Sequence, residues 1–348
     1  MPAGRALRGP PLNFKTDRTA FMDTDYVAEI LKGSPRAISR MISWLENDDQ
    51  RASGCMEKIY PHTGRAYILG ITGSPGSGKS SLTDKLTQKL RSQGLTVGII
   101  AVDPTSPFTG GAILGDRVRM GDIAMDPGVF IRSMATRGYL GGLAQATSNA
   151  VKILDAAGKD VVLIETVGVG QDEVDIIRIA DTVCLVLVPG LGDVIQSMKA
   201  GVMEIADVYV INKSDRPGAD QLCAEVTHRV AQDVEIRARE WPPPVVQTVA
   251  IENEGIDQMA DAIQAHRSYL EQSNRLIDKR RERTRDETLQ MIHYELFRVI
   301  KAYLTRDHRM DQLVSDIMER RENPYRLMHR MLKNYLRLPE SDISMNAE

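Results

Sequence analysis

The alternation of apolar and polar positions changes character twice along the chain. Over residues 23–62 apolar side chains recur at helical spacing: Tyr26, Val27, Ile30 and Leu31, then Ile38, Met41, Ile42 and Leu45. Ser34-Pro35 reads as a helix start, with serine at the cap and proline in the first turn. From Ala66 short β-branched runs take over, at residues 67–72, 97–103, 129–132, 161–165, 182–189, 208–212 and 245–249. Several are apolar without polar alternation, which is how strands buried on both faces read. Helical patterns intervene at 80–93, 141–157, 172–180, 194–206 and 219–239. This alternation predicts an α/β fold: a mostly parallel central sheet with helices on both faces, carrying N-terminal and C-terminal helical extensions. After Gly255 no strand is predicted. Leu289, Ile292, Leu296, Val299 and Tyr303 recur at three- and four-residue steps behind a charge-rich run at 278–287, the pattern of an amphipathic arm. Such an arm either packs on its own domain or pairs with a second copy.

Composition narrows the setting rather than the chemistry. The 348 residues are 42% hydrophobic and 26% charged, ordinary for a globular protein. A net charge of -3 gives no global attraction to nucleic acid or an anionic membrane, and no apolar run is long enough to span a bilayer. Cys55, Cys184 and Cys223 are odd in number and far apart, which suits a reducing compartment, read here as the cytoplasm. Arg5, Arg8 and Lys15 precede any acid, but Gly9-Pro10-Pro11 suits a transit helix poorly, so a flexible tail is expected over residues 1–22.

The chemistry begins at Gly73-Ser74-Pro75-Gly76-Ser77-Gly78-Lys79-Ser80, a match to G-x-x-x-x-G-K-[ST] between an apolar run and a helical pattern. In that context glycines let backbone N–H groups turn inward around phosphates, and the helix dipole adds positive potential. Lys79 is assigned to the β and γ phosphates, the Ser80 hydroxyl to Mg²⁺, and Ser81 extends the binding stretch. Asn212-Lys213-Ser214-Asp215 follows the apolar run 208–211, the N-K-x-D pattern that reads guanine. A carboxylate at Asp215 accepts the adjacent N1–H and N2–H₂ donors of guanine, and adenine offers no such pair. The Lys213 stem is expected along the base plane. A further guanine contact is expected from the Ala250 N–H, although Val249 stands where serine is usual.

Three acids lie at predicted carboxyl ends of strands or in the following loops: Asp103, Asp116 and Glu165. With Ser80 they are the candidate Mg²⁺ ligands, some acting through water. The Gly168 N–H is the candidate γ-phosphate sensor, with Lys79 and Glu165 as the other catalytic candidates. Arg119, Arg132 and Arg137 are each candidates to neutralise phosphate charge. No water-positioning group stands out, since Gln171 lies three residues past Gly168. Slow intrinsic hydrolysis, accelerated by a partner, is the expectation.

Together with Val102-Asp103-Pro104-Thr105-Ser106, Gly115-Asp116-Arg117-Val118-Arg119-Met120, Ile164-Glu165-Thr166-Val167-Gly168-Val169-Gly170-Gln171 and Met203-Glu204-Ile205-Ala206-Asp207, the chain resembles the MeaB/ArgK family of P-loop GTPases, which includes the methylmalonic aciduria type A protein. The resemblance implies a homodimeric GTP-hydrolysing chaperone. Such a protein gates adenosylcobalamin loading and protects a B₁₂-dependent acyl-CoA mutase, methylmalonyl-CoA mutase first among them. It implies Mg²⁺ at the positions of Asp103, Asp116 and Glu165, and a mobile loop over 189–201. In that loop Gly192, Asp193, Gln196 and Lys199 match, with Gln196 and Lys199 as partner-communicating residues. The domain reading is a helical segment at 23–62, a GTPase domain at 63–265 and a dimerisation arm at 266–348. A nickel-insertion GTPase of the hydrogenase or urease maturation type is the alternative, but Cys184 has no His or Cys near it in sequence. A nucleotide-dependent kinase would need an acceptor-positioning base, and none is apparent.

Overall fold

The computed structural model describes residues 20–47, 49–103, 121, 123–135, 142–166, 178–190, 203–237, 240–305 and 309–327. Arg18–Gln290 forms one compact unit, and the chain from Met291 onward belongs to a second.

Seven strands form one sheet among the described residues: β1 (Tyr67–Gly73), β2 (Val97–Asp103), β3 (Val129–Ala135), β4 (Val161–Thr166), β5 (Thr182–Leu187), β6 (Val208–Asn212) and β7 (Val245–Thr248). Their order is β3-β2-β4-β1-β5-β6-β7, and every pair is parallel. Each of the seven expected runs became a strand. β1 and β4 to β6 are buried at every position, because both faces of the sheet are covered. Successive side chains therefore feed different cores. Ile68, Ile100, Val102, Val162, Ile164 and Val183 point into one. Tyr67, Leu69, Ile71, Ile99, Leu163, Cys184 and Val186 point into the other.

Among the described residues the α-helices are α1 (Ala20–Leu31), α2 (Pro35–Glu46), α3 (Gln50–Ile59), α4 (Lys79–Ser92), α5 (Gly142–Ala156), α6 (Ala219–Arg237), α7 (Ile256–Gln272), α8 (Arg275–Thr305) and α9 (Arg309–Met318). Helices α4 and α7 cover the second core through Leu82, Leu86, Ile256, Met259 and Ile263. α6 covers β5 and β6 through Leu222, Val226 and Val230. The first core is closed by α5 and by the three N-terminal helices, whose Ile30, Ile38, Met41, Ile42 and Ile59 are fully buried against it. The N-terminal helical extension thus contributes its apolar faces to the main core. α2 starts at Pro35 with Ser34 at the cap, but the Ser34 side chain makes no capping hydrogen bond.

Arg132, one of the candidate phosphate neutralisers, is used elsewhere. Its guanidinium donates to Ser43 Oγ at 3.0 Å and pairs with Glu46, both on α2. The Arg132 guanidinium thus joins β3 to α2, and its charge is spent on the fold. Arg119 and Arg137 lie outside the described residues.

The first three turns of α8 grip the amino edge of the sheet by charge. Asp181, fully buried just before β5, accepts from the Ile68 N–H, from Arg280 Nη2 at 2.7 Å and from Arg283 Nη1 at 3.3 Å. Arg280 also donates to the carbonyls of Gly64 and Ala66. Glu287 accepts from Lys152 Nζ at 2.8 Å on α5.

His266 on α7 sits in the same region, 2% exposed, with Nδ1 sharing a hydrogen with Thr182 Oγ1 at 2.6 Å. Burial lowers its pKa, outweighing the opposing pull of Asp207, whose Oδ1 lies 3.5 Å from Nε2; Lys279 adds to the lowering and Asp181 opposes it. The folded state thus favours the neutral ring more than the unfolded state does. The stability this contributes is present above the unfolded-chain value of about 6.5 and is lost as pH falls below it. The urea midpoint is expected to drop between pH 7.5 and pH 5.5, and the drop to shrink in His266→Gln. An equal drop in both proteins would show that His266 carries none of it.

Candidate nucleotide site

The chain runs from β1 toward β2 on one side and from β5 toward β6 and β7 on the other. The carboxyl ends of β1, β4, β5 and β6 therefore border the crevice where open α/β sheets bind ligands. The loop from Gly73 to Gly78 leaves β1 there and enters α4 at Lys79. Its shape depends on glycine at two places. Gly78 caps α4 with φ 91°, and a Cβ there would lie 2.3 Å from Asn212 Nδ2. Gly73 has φ 150°, and a Cβ there would lie 2.2 Å from the Val186 carbonyl oxygen of β5. Both positions combine positive φ values with contacts no side chain tolerates.

Lys79 is 5% exposed, and its ammonium donates to the carbonyls of Gly73 at 2.9 Å and Ser74 at 3.0 Å. The loop backbone itself thus fixes the cation at the start of α4. Pro75 and Gly76 are exposed at the loop tip. The hydroxyls of Ser74 and Ser77 are buried without a hydrogen-bond partner among the described residues, unusual for groups that cost about 1–3 kcal/mol when left unpaired. Ser80 Oγ donates to Glu165 Oε1 at 2.5 Å, and Glu165 is 5% exposed. A hydroxyl and a carboxylate from α4 and β4 thus converge at the carboxyl edge. These are hard oxygen donors, and the pair fits Mg²⁺ with phosphate and water completing the shell. The tip of β4 is fixed to β1 by a buried hydrogen bond, Thr166 Oγ1 to Thr72 Oγ1 at 2.9 Å. Asp103 ends β2 beside β4, with Val102 in register with Thr166.

The base-reading half of the site is organised around one residue. Asn212, 2% exposed at the end of β6, donates from Nδ2 to the Ser77 carbonyl at 2.8 Å. Its Oδ1 accepts from Thr248 Oγ1 at 3.1 Å and from the Ala250 N–H at 3.2 Å. One amide thereby ties the phosphate loop, β6 and the turn after β7 together. Lys213 adopts φ 58° and donates from Nζ to the Gly76 carbonyl at 2.8 Å, so its stem spans from the β6 exit to the phosphate loop. Asp215 is exposed in the turn that follows.

The fold thus brings residues 73–81, Glu165, Asn212, Lys213, Asp215 and Ala250 to one edge of the sheet. The side chain of Asp103, and Asp116, Gly168, Gln196 and Lys199 entirely, lie outside the described residues. Motif reading missed the Thr72–Thr166 bond and the Asp181 knot. Threonine at a strand end and aspartate before a strand carry no local signature of their partners.

Fold and site together define a P-loop GTPase. The chain belongs to the MeaB family: the family model described as methylmalonyl Co-A mutase-associated GTPase MeaB matches residues 35–305. A Pyrococcus abyssi protein assigned as a GTPase is 50% identical over 318 residues, spanning 90% of this chain and 97% of that one. The Escherichia coli GTPase ArgK is 36% identical over 265 residues, 74% of this chain and 80% of that protein. The mitochondrial methylmalonic aciduria type A homolog of Caenorhabditis elegans is 29% identical over 324 residues, 88% of this chain and 81% of that protein. Among solved structures, one titled LAO/AO transport system kinase superposes with a TM-score of 0.65 at 26% identity, covering 93% of this chain and all of that one. Among the described residues no helix is long and apolar enough to cross a membrane.

Proposed function

We propose that this GTPase is a nucleotide-controlled chaperone of an adenosylcobalamin-dependent acyl-CoA mutase, methylmalonyl-CoA mutase first among the candidates. It gates cofactor loading and protects the mutase from inactivation. The observation that carries the reading is the family match over 35–305, a family described by its association with that mutase. In this reading GTP enters with its phosphates over the loop of residues 73–81. Backbone N–H groups and the Lys79 ammonium take the β and γ phosphates, and Asp215 takes the edge of the guanine. Ser80, Glu165, Asp103 and Asp116 hold Mg²⁺, which neutralises phosphate charge when bound. Gly168 senses the γ-phosphate, and Gln196 and Lys199 pass the nucleotide state to the mutase.

The homodimer is part of the proposal. Leu289, Ile292, Phe297 and Val299 on α8 and Met310, Val314 and Met318 on α9 are exposed, an apolar content suited to pairing with a second copy. The test is single-turnover GTP hydrolysis with and without purified methylmalonyl-CoA mutase. Acceleration by at least about tenfold and co-elution of the two proteins are expected. A rate indifferent to the mutase, with no co-elution, refutes the chaperone reading and leaves the GTPase intact.

A further inference from the structure

Ile251 is an apolar side chain held rigidly in water. It lies in the single 3₁₀ turn Ala250–Glu252 that follows β7, and it is 78% exposed while its neighbour Ala250 is 3% exposed. The turn is pinned at several points. Val249 and Glu254 form a two-bond bridge, with N···O distances of 3.1 and 3.2 Å. Asn253 takes φ 61°. Gly255, at φ 74°, packs so closely that a Cβ would sit 2.1 Å from the Gln247 carbonyl oxygen. The Ala250 N–H is held by Asn212 Oδ1, and Asn212 is in register with Thr248. Ile251 therefore has a fixed position one residue from the Asn212 clamp, at the same sheet edge as Lys213 and Asp215. A scattered exposed isoleucine is ordinary. This one stands on a turn whose Ala250 N–H is held by the same Asn212 that reaches the phosphate loop.

A purine needs more than recognition at its edge. Its two faces are apolar and lose water on binding, so a site that holds it offers each face a surface. The Lys213 stem, tied down at Gly76, supplies one. We propose that Ile251 supplies the other, as the apolar platform against which the guanine base is held. This rests on the guanine site described above. The two contributions differ in kind. Asp215 discriminates among bases through donors and acceptors, whereas Ile251 contributes affinity for any purine, because every base has such a face.

The experiment measures GDP and XDP binding to the full chain as wild type, Ile251→Ser, Ile251→Leu and Asp215→Asn. Ile251→Ser is expected to weaken both nucleotides about tenfold, the scale of losing one isoleucine's buried apolar surface, with the GDP-to-XDP ratio preserved. Ile251→Leu is expected to restore affinity, since only an apolar surface is needed. Asp215→Asn is expected to shift the ratio toward XDP, whose 2-oxo group matches an amide donor. Unchanged GDP affinity in Ile251→Ser overturns the platform, and with Asp215→Asn still shifting the ratio it leaves the guanine site standing. Ile251 then belongs to a protein-contact surface. An unshifted ratio in Asp215→Asn overturns the guanine site itself.

Discussion

Lys79→Ala is expected to reduce single-turnover GTP hydrolysis at least about a hundredfold, the scale of losing one preorganised charge at a developing anion. The structural reason is preorganisation. The ammonium is buried and held by two carbonyls of the loop proposed to embrace the phosphates, so it need not be gathered from solvent when charge moves onto the leaving diphosphate. Lys79→Arg is not expected to rescue the rate. A planar guanidinium cannot occupy a point position between the Gly73 and Ser74 carbonyls. Removing the ammonium leaves those two carbonyls without it, so a lowered melting temperature is expected alongside. Hydrolysis within about tenfold of wild type in a folded Lys79→Ala protein would refute the assignment.

Asn212→Ala is expected to weaken GDP and GTP by about a hundredfold and to destabilise the empty protein by about 2–4 kcal/mol. The amide joins the phosphate loop, through the Ser77 carbonyl, to the β7 exit, through the Thr248 hydroxyl and the Ala250 N–H. Truncation leaves the carbonyl and the N–H buried and unpaired, and each costs about 1–3 kcal/mol. It also unties the phosphate loop from the turn carrying Ala250, so both ends of the nucleotide lose their alignment. Asn212→Asp is expected to fare no better. It keeps an acceptor for Ala250 but sets a carboxylate oxygen against the Ser77 carbonyl. Isothermal titration with GDP, together with a urea titration of the nucleotide-free protein, checks both parts. GDP affinity within about threefold of wild type in Asn212→Ala would show that the clamp is dispensable.

Strand placement was legible because a strand buried on both faces has little alternative to an unbroken apolar run. Boundaries moved where pairing, not composition, decided them. β3 continues to Ala135 because its ladder with β2 continues to Asp103. β5 stops at Leu187, where its pairing with β6 ends opposite Ile211. The amphipathic spacing of Ile38, Met41 and Ile42 announced helices before Ala66 but not their partner. That partner is the core shared with α5 and with Ile100, Val102, Met134, Val162 and Ile164, all far along the chain. The same distance explains Arg132. From sequence it is one of several cations near a strand end, and only the tertiary fold brings Glu46 and Ser43 of α2 to it.

The sequence by itself determined the phosphate loop and the N-K-x-D turn, because each is a contiguous stretch whose backbone shape follows from its own glycines and flanking elements. It also determined the strand–helix alternation that sets both at one sheet edge. Tertiary structure alone decided how the two halves become one site. Asn212 reaches Ser77 across 135 residues of chain and Ala250 across 38. A hydrogen bond across that separation leaves no periodicity or spacing to read, since the entropy of closing so long a loop is offset by the packed sheet and not by any local preference.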